Sequence, residues 1–182
     1  MLMAGITSLD AQWDPEADTL PQTVITTGWA DEAVAIGYIT APSVLGLMFI
    51  SALVSEYNAG YVGIPASAII LTASPIIYMG GRSVSVLNEI YQSRAKLGWT
   101  LYVLSVVPTG LALYGFTTDW GATLPLTIAS AVLGTASIVA MSTYASGRSE
   151  TARRMIDASK TSLNFGILPV KGGAIASLSF RF

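Results

Sequence analysis

The residues that could do chemistry in this chain are few, because the sequence contains neither histidine nor cysteine. That absence excludes thiol nucleophiles, disulfides, iron–sulfur and zinc-thiolate sites, and histidine bases or ligands. The Asp, Glu, Ser and Tyr side chains that remain match no catalytic motif. Gly147-Arg148-Ser149 is no nucleophile elbow, and Gly60-Tyr61-Val62-Gly63 is no phosphate-binding loop. We therefore expect no catalytic, cofactor-binding or metal-binding residues, and no enzyme.

The composition indicates a membrane protein. Of the 182 residues, 52% are hydrophobic and only 11% are charged, whereas soluble domains carry about 25% charged residues. The formal net charge of −2 provides no basic surface, so nucleic acid is not expected as a partner. The partners that we expect are the lipid bilayer and either other protein subunits or further copies of the chain.

Four uncharged stretches are long enough to cross a bilayer, which takes about 20 apolar residues. These windows lie at 33–55, 57–81, 97–118 and 120–147. Trp and Tyr residues near their ends fit the two membrane interfaces. A soluble helical bundle is the alternative, but its helices would carry charged faces. We predict membrane helices at 33–55, 61–80, 97–117 and 122–146, with no strand before residue 160.

Connection lengths predict how these helices are arranged. Residues 56–60 and 117–121 are tight turns, so the four transmembrane helices should form two antiparallel hairpins. The longer connection at 82–96 should either continue the second helix past the interface or lie along it; we favour the simpler alternative of a helix end with a solvated face. The fold class that we predict is an all-α membrane protein with a short C-terminal β-hairpin added.

The two halves of the chain share landmarks at an offset of 66 residues. Pro42 then aligns with Pro108, and Gly81-Arg82-Ser83 aligns with Gly147-Arg148-Ser149. Duplication of a two-helix hairpin would relate the halves by an axis along the membrane normal. Coincidence is the alternative, because proline at helix starts and arginine at membrane edges are common.

Small residues predict where the helices touch, since membrane helices associate where their backbones can approach closely. Such residues recur every four positions in the first and fourth windows. The predicted helix-packing residues are Ala33, Gly37, Ala41, Thr127, Ala131 and Thr135. Pro42, Pro75 and Pro108 should bend their helices and free carbonyl groups, which could bind ions in a transporter.

The two ends flank the transmembrane domain at 33–160 and differ in character. Residues 1–32 carry six acidic residues and no base, and thus form an acidic arm. Residues 161–182 alternate in polarity around a Lys171-Gly172-Gly173 turn, which predicts a β-hairpin. Its apolar face should bind a partner, although packing on its own bundle is the alternative. The residues of that face are Phe165, Ile167, Leu178, Phe180 and Phe182.

Charge predicts which end of the bundle faces the cytoplasm. All nine Lys and Arg residues fall on the side of both termini and the middle connection, which places the termini inside if the membrane is the inner one. A leader-like start at residues 1–12 favours the opposite orientation. Anionic lipid headgroups could bind the basic residues after the fourth window, unless these simply form a solvated helix end. Those residues are Arg148, Arg153, Arg154 and Lys160.

The leader-like start, the helical hairpins, the two Gly-Arg-Ser exits and the alternating end at Phe182 together resemble small membrane proteins of the Gram-negative cell envelope. This resemblance implies a bacterial envelope location, in the inner or the outer membrane, and brings no activity and no functional residues. We expect a non-catalytic membrane subunit that scaffolds or anchors a larger envelope assembly. A small transporter or channel built from a duplicated helical hairpin is the alternative.

Overall fold

The computed structural model describes residues 25–54, 56–85, 91–118, 121–160, 163–170 and 173–180. It contains four helices, each long and apolar enough to cross a bilayer, so the prediction of four membrane helices is confirmed. Within the described ranges no strand precedes residue 163. The helices are α1 (Ala30–Leu53), α2 (Glu56–Arg82), α3 (Gln92–Thr118) and α4 (Thr123–Lys160).

The first helix begins earlier than predicted. Asp31 and Glu32, assigned from the sequence to the acidic arm, lie in the first turn of α1. Acidic side chains are favourable there because the exposed N–H groups give a helix N-terminus partial positive charge. The part of the acidic arm at 1–24 lies outside the described residues.

Of the alternatives for the connection at 82–96, continuation of the second helix is not seen in the described residues beyond Arg82. α2 ends at Arg82, residues 83–85 are not helical, and Gln92 already begins α3. The Ser83 hydroxyl donates a 2.6 Å hydrogen bond to the Gly80 carbonyl. It also accepts the backbone N–H of Trp29 at 3.0 Å. This serine thus fastens the end of α2 to the start of α1.

The helices are arranged around α4, which packs against all three others, while α2 also packs against α1 and α3. Among the described helices, α1 and α3 are the only pair not in contact. Close approaches of Gly80 to Ala33 and of Gly98 to Met141 show that each hairpin is antiparallel. Consequently α2 and α4 run parallel along the short diagonal of the bundle.

Two strands follow α4. β1 (Leu163–Val170) and β2 (Gly173–Phe180) pair antiparallel, with Leu163 opposite Phe180 and Val170 opposite Gly173. The side chains of both strands, and Phe182, lie outside the described residues. The partner-binding face of this hairpin therefore stays a prediction.

Glycines set the distance between the helices. A Cβ atom at Gly37 would collide with the Ser142 hydroxyl on α4 and approach Ile77 on α2 to 3.3 Å. Likewise, a Cβ at Gly134 would lie 2.6 Å from Ile70 of α2. Lipid chains are as apolar as the side chains that they surround, so this close packing is a main source of helix association.

We predict that Gly37→Leu destabilises the bundle by about 3 kcal/mol, the upper part of the range for overpacked cores. Gly110→Leu in α3 is the matched control, since nothing lies within 4 Å of a Cβ at that glycine. The measurement is thermal unfolding in detergent followed by helical circular dichroism. Equal melting temperatures for the two variants would contradict the packing of Gly37 against α4.

Candidate functional site

Among the described residues, buried hydroxyl groups form a hydrogen-bonded polar site inside the bundle that connects three helices. The Ser74 and Ser137 oxygens lie 2.8 Å apart, and both side chains are buried. Ser137 also donates a 2.9 Å hydrogen bond to the backbone carbonyl of Gly98. Because that bond uses the Ser137 proton, Ser74 donates to Ser137. The resulting chain of two hydroxyls and one carbonyl connects α2, α4 and α3.

A second hydroxyl pair lies nearer the other end of the bundle. Thr109 on α3 and Ser130 on α4 are fully buried, and their side-chain oxygens lie 2.7 Å apart. Hydroxyls can enter membrane helices at low cost when such a partner is available. The α3–α4 contact is therefore held by hydrogen bonds at both levels.

Pro75 creates a defect in α2 that a neighbouring helix repairs. Proline has no N–H, so the carbonyl of Leu71, four residues earlier, loses its helical donor. The Tyr102 hydroxyl of α3 donates a 2.9 Å hydrogen bond to that carbonyl. The Leu71 carbonyl that Pro75 frees is thus occupied by protein, which weakens its expected use as an ion ligand.

Two further interior hydroxyls are not satisfied. Ser67 Oγ and Thr135 Oγ1 are buried and have no hydrogen-bond partner among the described residues. Burying an unpaired hydroxyl costs about 1–3 kcal/mol in proteins. These two hydroxyls thus keep hydrogen-bonding capacity inside the bundle.

The Ser74–Ser137 pair lies in two short segments of similar sequence, which align at an offset of 63 residues and not at the 66-residue offset of the Gly-Arg-Ser exits. At an offset of 63, Ala66–Ser74 (ASAIILTAS) matches Ala129–Ser137 (ASAVLGTAS) at six of nine positions. The structure lays these segments side by side, with Ile70 against Gly134 and Ser74 bonded to Ser137. The offset was missed because the shared Gly-Arg-Ser exits lie three residues further apart.

The predicted helix-packing residues lie where α1 and α4 meet their neighbours. Ala33, Gly37 and Ala41 are buried on α1. On α4, Thr127 and Ala131 are buried and Thr135 is half-buried. The sequence missed the equally buried Ser130 and Ser137 as hydrogen-bonding residues, because spacing alone does not show which hydroxyls face each other.

The basic residues predicted to bind headgroups have protein partners in the structure. Arg148 donates hydrogen bonds to the Val84 carbonyl and to the Tyr144 hydroxyl, both at 3.1 Å. Arg153 and Arg154 form ion pairs with Asp31 at 2.7 Å and with Glu150 at 2.8 Å. The Lys160 side chain lies outside the described residues. Headgroup binding by these four residues stays a prediction.

Asp31 connects the start of α1 to α4 at the end of the bundle that carries the chain termini, which we call the polar rim. Its carboxylate accepts a 2.7 Å hydrogen bond from the Ser149 hydroxyl in addition to the Arg153 ion pair.

Below this rim an aromatic cluster connects three helices, with ring centroids 5.2–5.5 Å apart. Its rings belong to Tyr78, Trp99, Tyr102 and Tyr144. Rings expected at the membrane interface thus pack against one another, Tyr78 and Tyr144 face to face and the other two pairs edge to face.

Among the described residues, the arrangement within the spans offers hydrogen bonding and close packing. The described residues contain no group of three or more metal-ligating side chains. Comparison of the chain with protein-family models, with curated proteins and with solved structures found no match. Function must therefore be argued from the geometry of this chain.

We predict that Tyr102→Phe destabilises the bundle by about 1–2 kcal/mol, because it leaves the partly buried Leu71 carbonyl without a donor. In a Pro75→Ala background the same substitution should cost much less, since an alanine at that position supplies the missing helical N–H. Tyr38→Phe is the control, because Tyr38 is largely exposed on the bundle surface. Unfolding by denaturing detergent measures all four variants. An equal cost of Tyr102→Phe in both backgrounds would refute the repair of the proline defect.

Proposed function

We propose that the protein is a non-catalytic integral membrane subunit whose bundle is a rigid anchor in a larger envelope assembly. The observation that carries this proposal is the closed interior. Glycines bring α1, α2 and α4 into direct contact, and Tyr102 occupies the carbonyl that Pro75 frees. An interior filled in this way favours anchoring over solute passage.

In this proposal, the partner is contacted by the two parts of the chain outside the bilayer, the C-terminal hairpin and the acidic arm. A two-stranded hairpin is marginally stable in water, so its apolar face should be covered by another surface. The unpaired backbone at its edges would also allow strand addition to a neighbouring subunit. The acidic arm offers a second contact, to a basic partner surface. The partner is either a different subunit or another copy of the chain.

The proposed location is the bacterial cell envelope, with both termini on one side. Four membrane helices give an even number of crossings, which supports termini on the same side. The positive-inside rule favours the cytoplasmic side if the membrane is the inner one, because both short turns lack Lys and Arg.

Transport or conduction of a small polar solute is the second candidate function. The unpaired hydroxyls of Ser67 and Thr135 favour it, because they leave hydrogen-bonding capacity inside the bundle. The repeat across α2 and α4 also favours it, since many transporters are built from duplicated units. Solute flux through liposomes that contain only this protein would support the second candidate.

We predict that removing residues 174–182 leaves the four helices inserted, because each is apolar enough to enter the membrane alone. Assembly should be lost, as measured by co-purification of a stoichiometric partner or by the homo-oligomer mass in mild detergent. A double substitution on the predicted apolar face, Leu178→Ser with Phe180→Ser, should have the same effect.

Ser177→Ala with Ser179→Ala is the matched control, because it changes the opposite face of the same strand. If assembly persists after the truncation, the anchoring role of the hairpin is refuted and transport becomes the better hypothesis.

A further inference from the structure

Two neighbouring surface cavities lie between α1 and α4, and their linings follow each other along α1 from Pro42 to Leu45; together we call them the α1–α4 groove. Its wider segment has a volume of about 530 Å³ and is lined by apolar residues such as Leu45, Phe49 and Val132. The other segment, of about 380 Å³, lies nearer the end with the chain termini and includes Tyr38, Pro42 and Val139. Along α4 the lining residues run from Thr127 to Glu150, which is about 35 Å at 1.5 Å per residue.

The polarity of this α1–α4 groove changes along its length. The larger segment, which lies farther from the chain termini, is lined almost entirely by carbon atoms. The shallower segment adds the hydroxyl residues Ser142, Thr143 and Ser146, and its mouth carries Arg94 and Glu150. The order from mouth to bottom is therefore charged, hydroxylated and apolar.

Both charged residues lie at the same membrane depth. Arg94 precedes the third uncharged window, which begins at residue 97, and Glu150 follows the fourth window, which ends at residue 147. Each is thus about one helical turn outside the hydrocarbon region. Arg94 also lies in the first turn of α3, where the helix dipole adds positive potential.

Arg94 has its charge available at this mouth. Its guanidinium lies 5.2 Å from the centre of the Tyr91 ring, and the described part of the chain provides it with no ion pair. Glu150 pairs with Arg154, but both hydrogen bonds end on Oε1. The Oε2 atom of Glu150 thus retains its capacity to accept a hydrogen bond.

We infer that the α1–α4 groove binds one phosphatidylethanolamine molecule from the leaflet on the side of the chain termini. The phosphate would bind Arg94, the ammonium group Glu150, and an acyl chain would lie along Tyr38, Pro42 and Val139 towards the apolar segment. Arginine is well suited to phosphate because its donors can form paired hydrogen bonds. The inference depends on the membrane location of the helices and not on the proposed anchoring function.

The two opposite charges at the mouth, Arg94 and Glu150, favour phosphatidylethanolamine over other molecules that could occupy such a groove. A phosphatidylglycerol headgroup is anionic and supplies no cation for Glu150. A helix from a second copy would fill the apolar segment, but an apolar face would supply no charged group for Arg94 or for the Oε2 atom of Glu150. A phosphoethanolamine headgroup provides one charge for each residue.

The test is native mass spectrometry of the full chain in a non-ionic detergent, with palmitoyl-oleoyl phosphatidylethanolamine titrated against its phosphatidylglycerol counterpart. The intact chain should bind one phosphatidylethanolamine at least tenfold more tightly than phosphatidylglycerol. Arg94→Gln should weaken binding of both lipids at least tenfold. Lys96→Gln, which removes a charge two residues away that does not line the groove, should change neither affinity.

The Glu150 substitutions test the headgroup assignment. Glu150→Gln should remove the preference for phosphatidylethanolamine while a lipid is still bound. Arg154→Gln, which breaks the ion pair but keeps the carboxylate, should preserve the preference. Thr143→Trp, which places a bulky ring in the groove, should displace the lipid, with helical circular dichroism showing that the bundle remains folded.

Three results would overturn the inference. One is equal lipid affinity in Arg94→Gln and Lys96→Gln, and another is tighter binding of phosphatidylglycerol by the intact chain. The third is a lipid-free dimer that Thr143→Trp dissociates, because a second copy of the chain would then occupy the groove.

Discussion

Close approach of α4 to the other three helices is the constraint on which the rest of this structure depends. Apolar side chains gain little by leaving lipid for protein, so membrane helices are held by backbone proximity and hydrogen bonds. Gly37 and Gly134 let α4 approach α1 and α2, and Ser137 then reaches both Ser74 and the Gly98 carbonyl. Each of these bonds requires the short distance that the small residues permit.

The same environment explains where polarity is allowed. A backbone carbonyl without a partner is costly in hydrocarbon, so a helix that contains proline must find a donor nearby. Tyr102 supplies that donor for α2, and the aromatic cluster around it fixes the position of α3. At the end with the termini, Asp31 and Arg153 tie the start of α1 to α4. In the described part of the chain, the ion pairs thus lie outside the hydrophobic spans, and hydroxyl and aromatic groups connect the helices inside the bundle.

Much of the helical fold could be predicted from the sequence, because a stretch without charges has few stable conformations other than a spanning helix. The helix ends were less accurate, since Ser83 ends α2 through a contact with Trp29 that is distant in sequence. Periodicity also placed Gly37 at a contact, but it did not identify Ser142 as the group it meets. Arg94 was overlooked because the groove it lines exists only after α1 and α4 have packed.

The parallel alignment of α2 and α4 at their repeated segments is the central claim, and a disulfide tests it most directly. The chain has no cysteine of its own, so Ser74→Cys combined with Ser137→Cys introduces only one pair. Mild oxidation in membranes should cross-link this pair within one chain, while Ser74→Cys with Thr143→Cys, on the exposed face of α4, should stay reduced. Absence of the first cross-link, or equal formation of both, would contradict the alignment of α2 with α4.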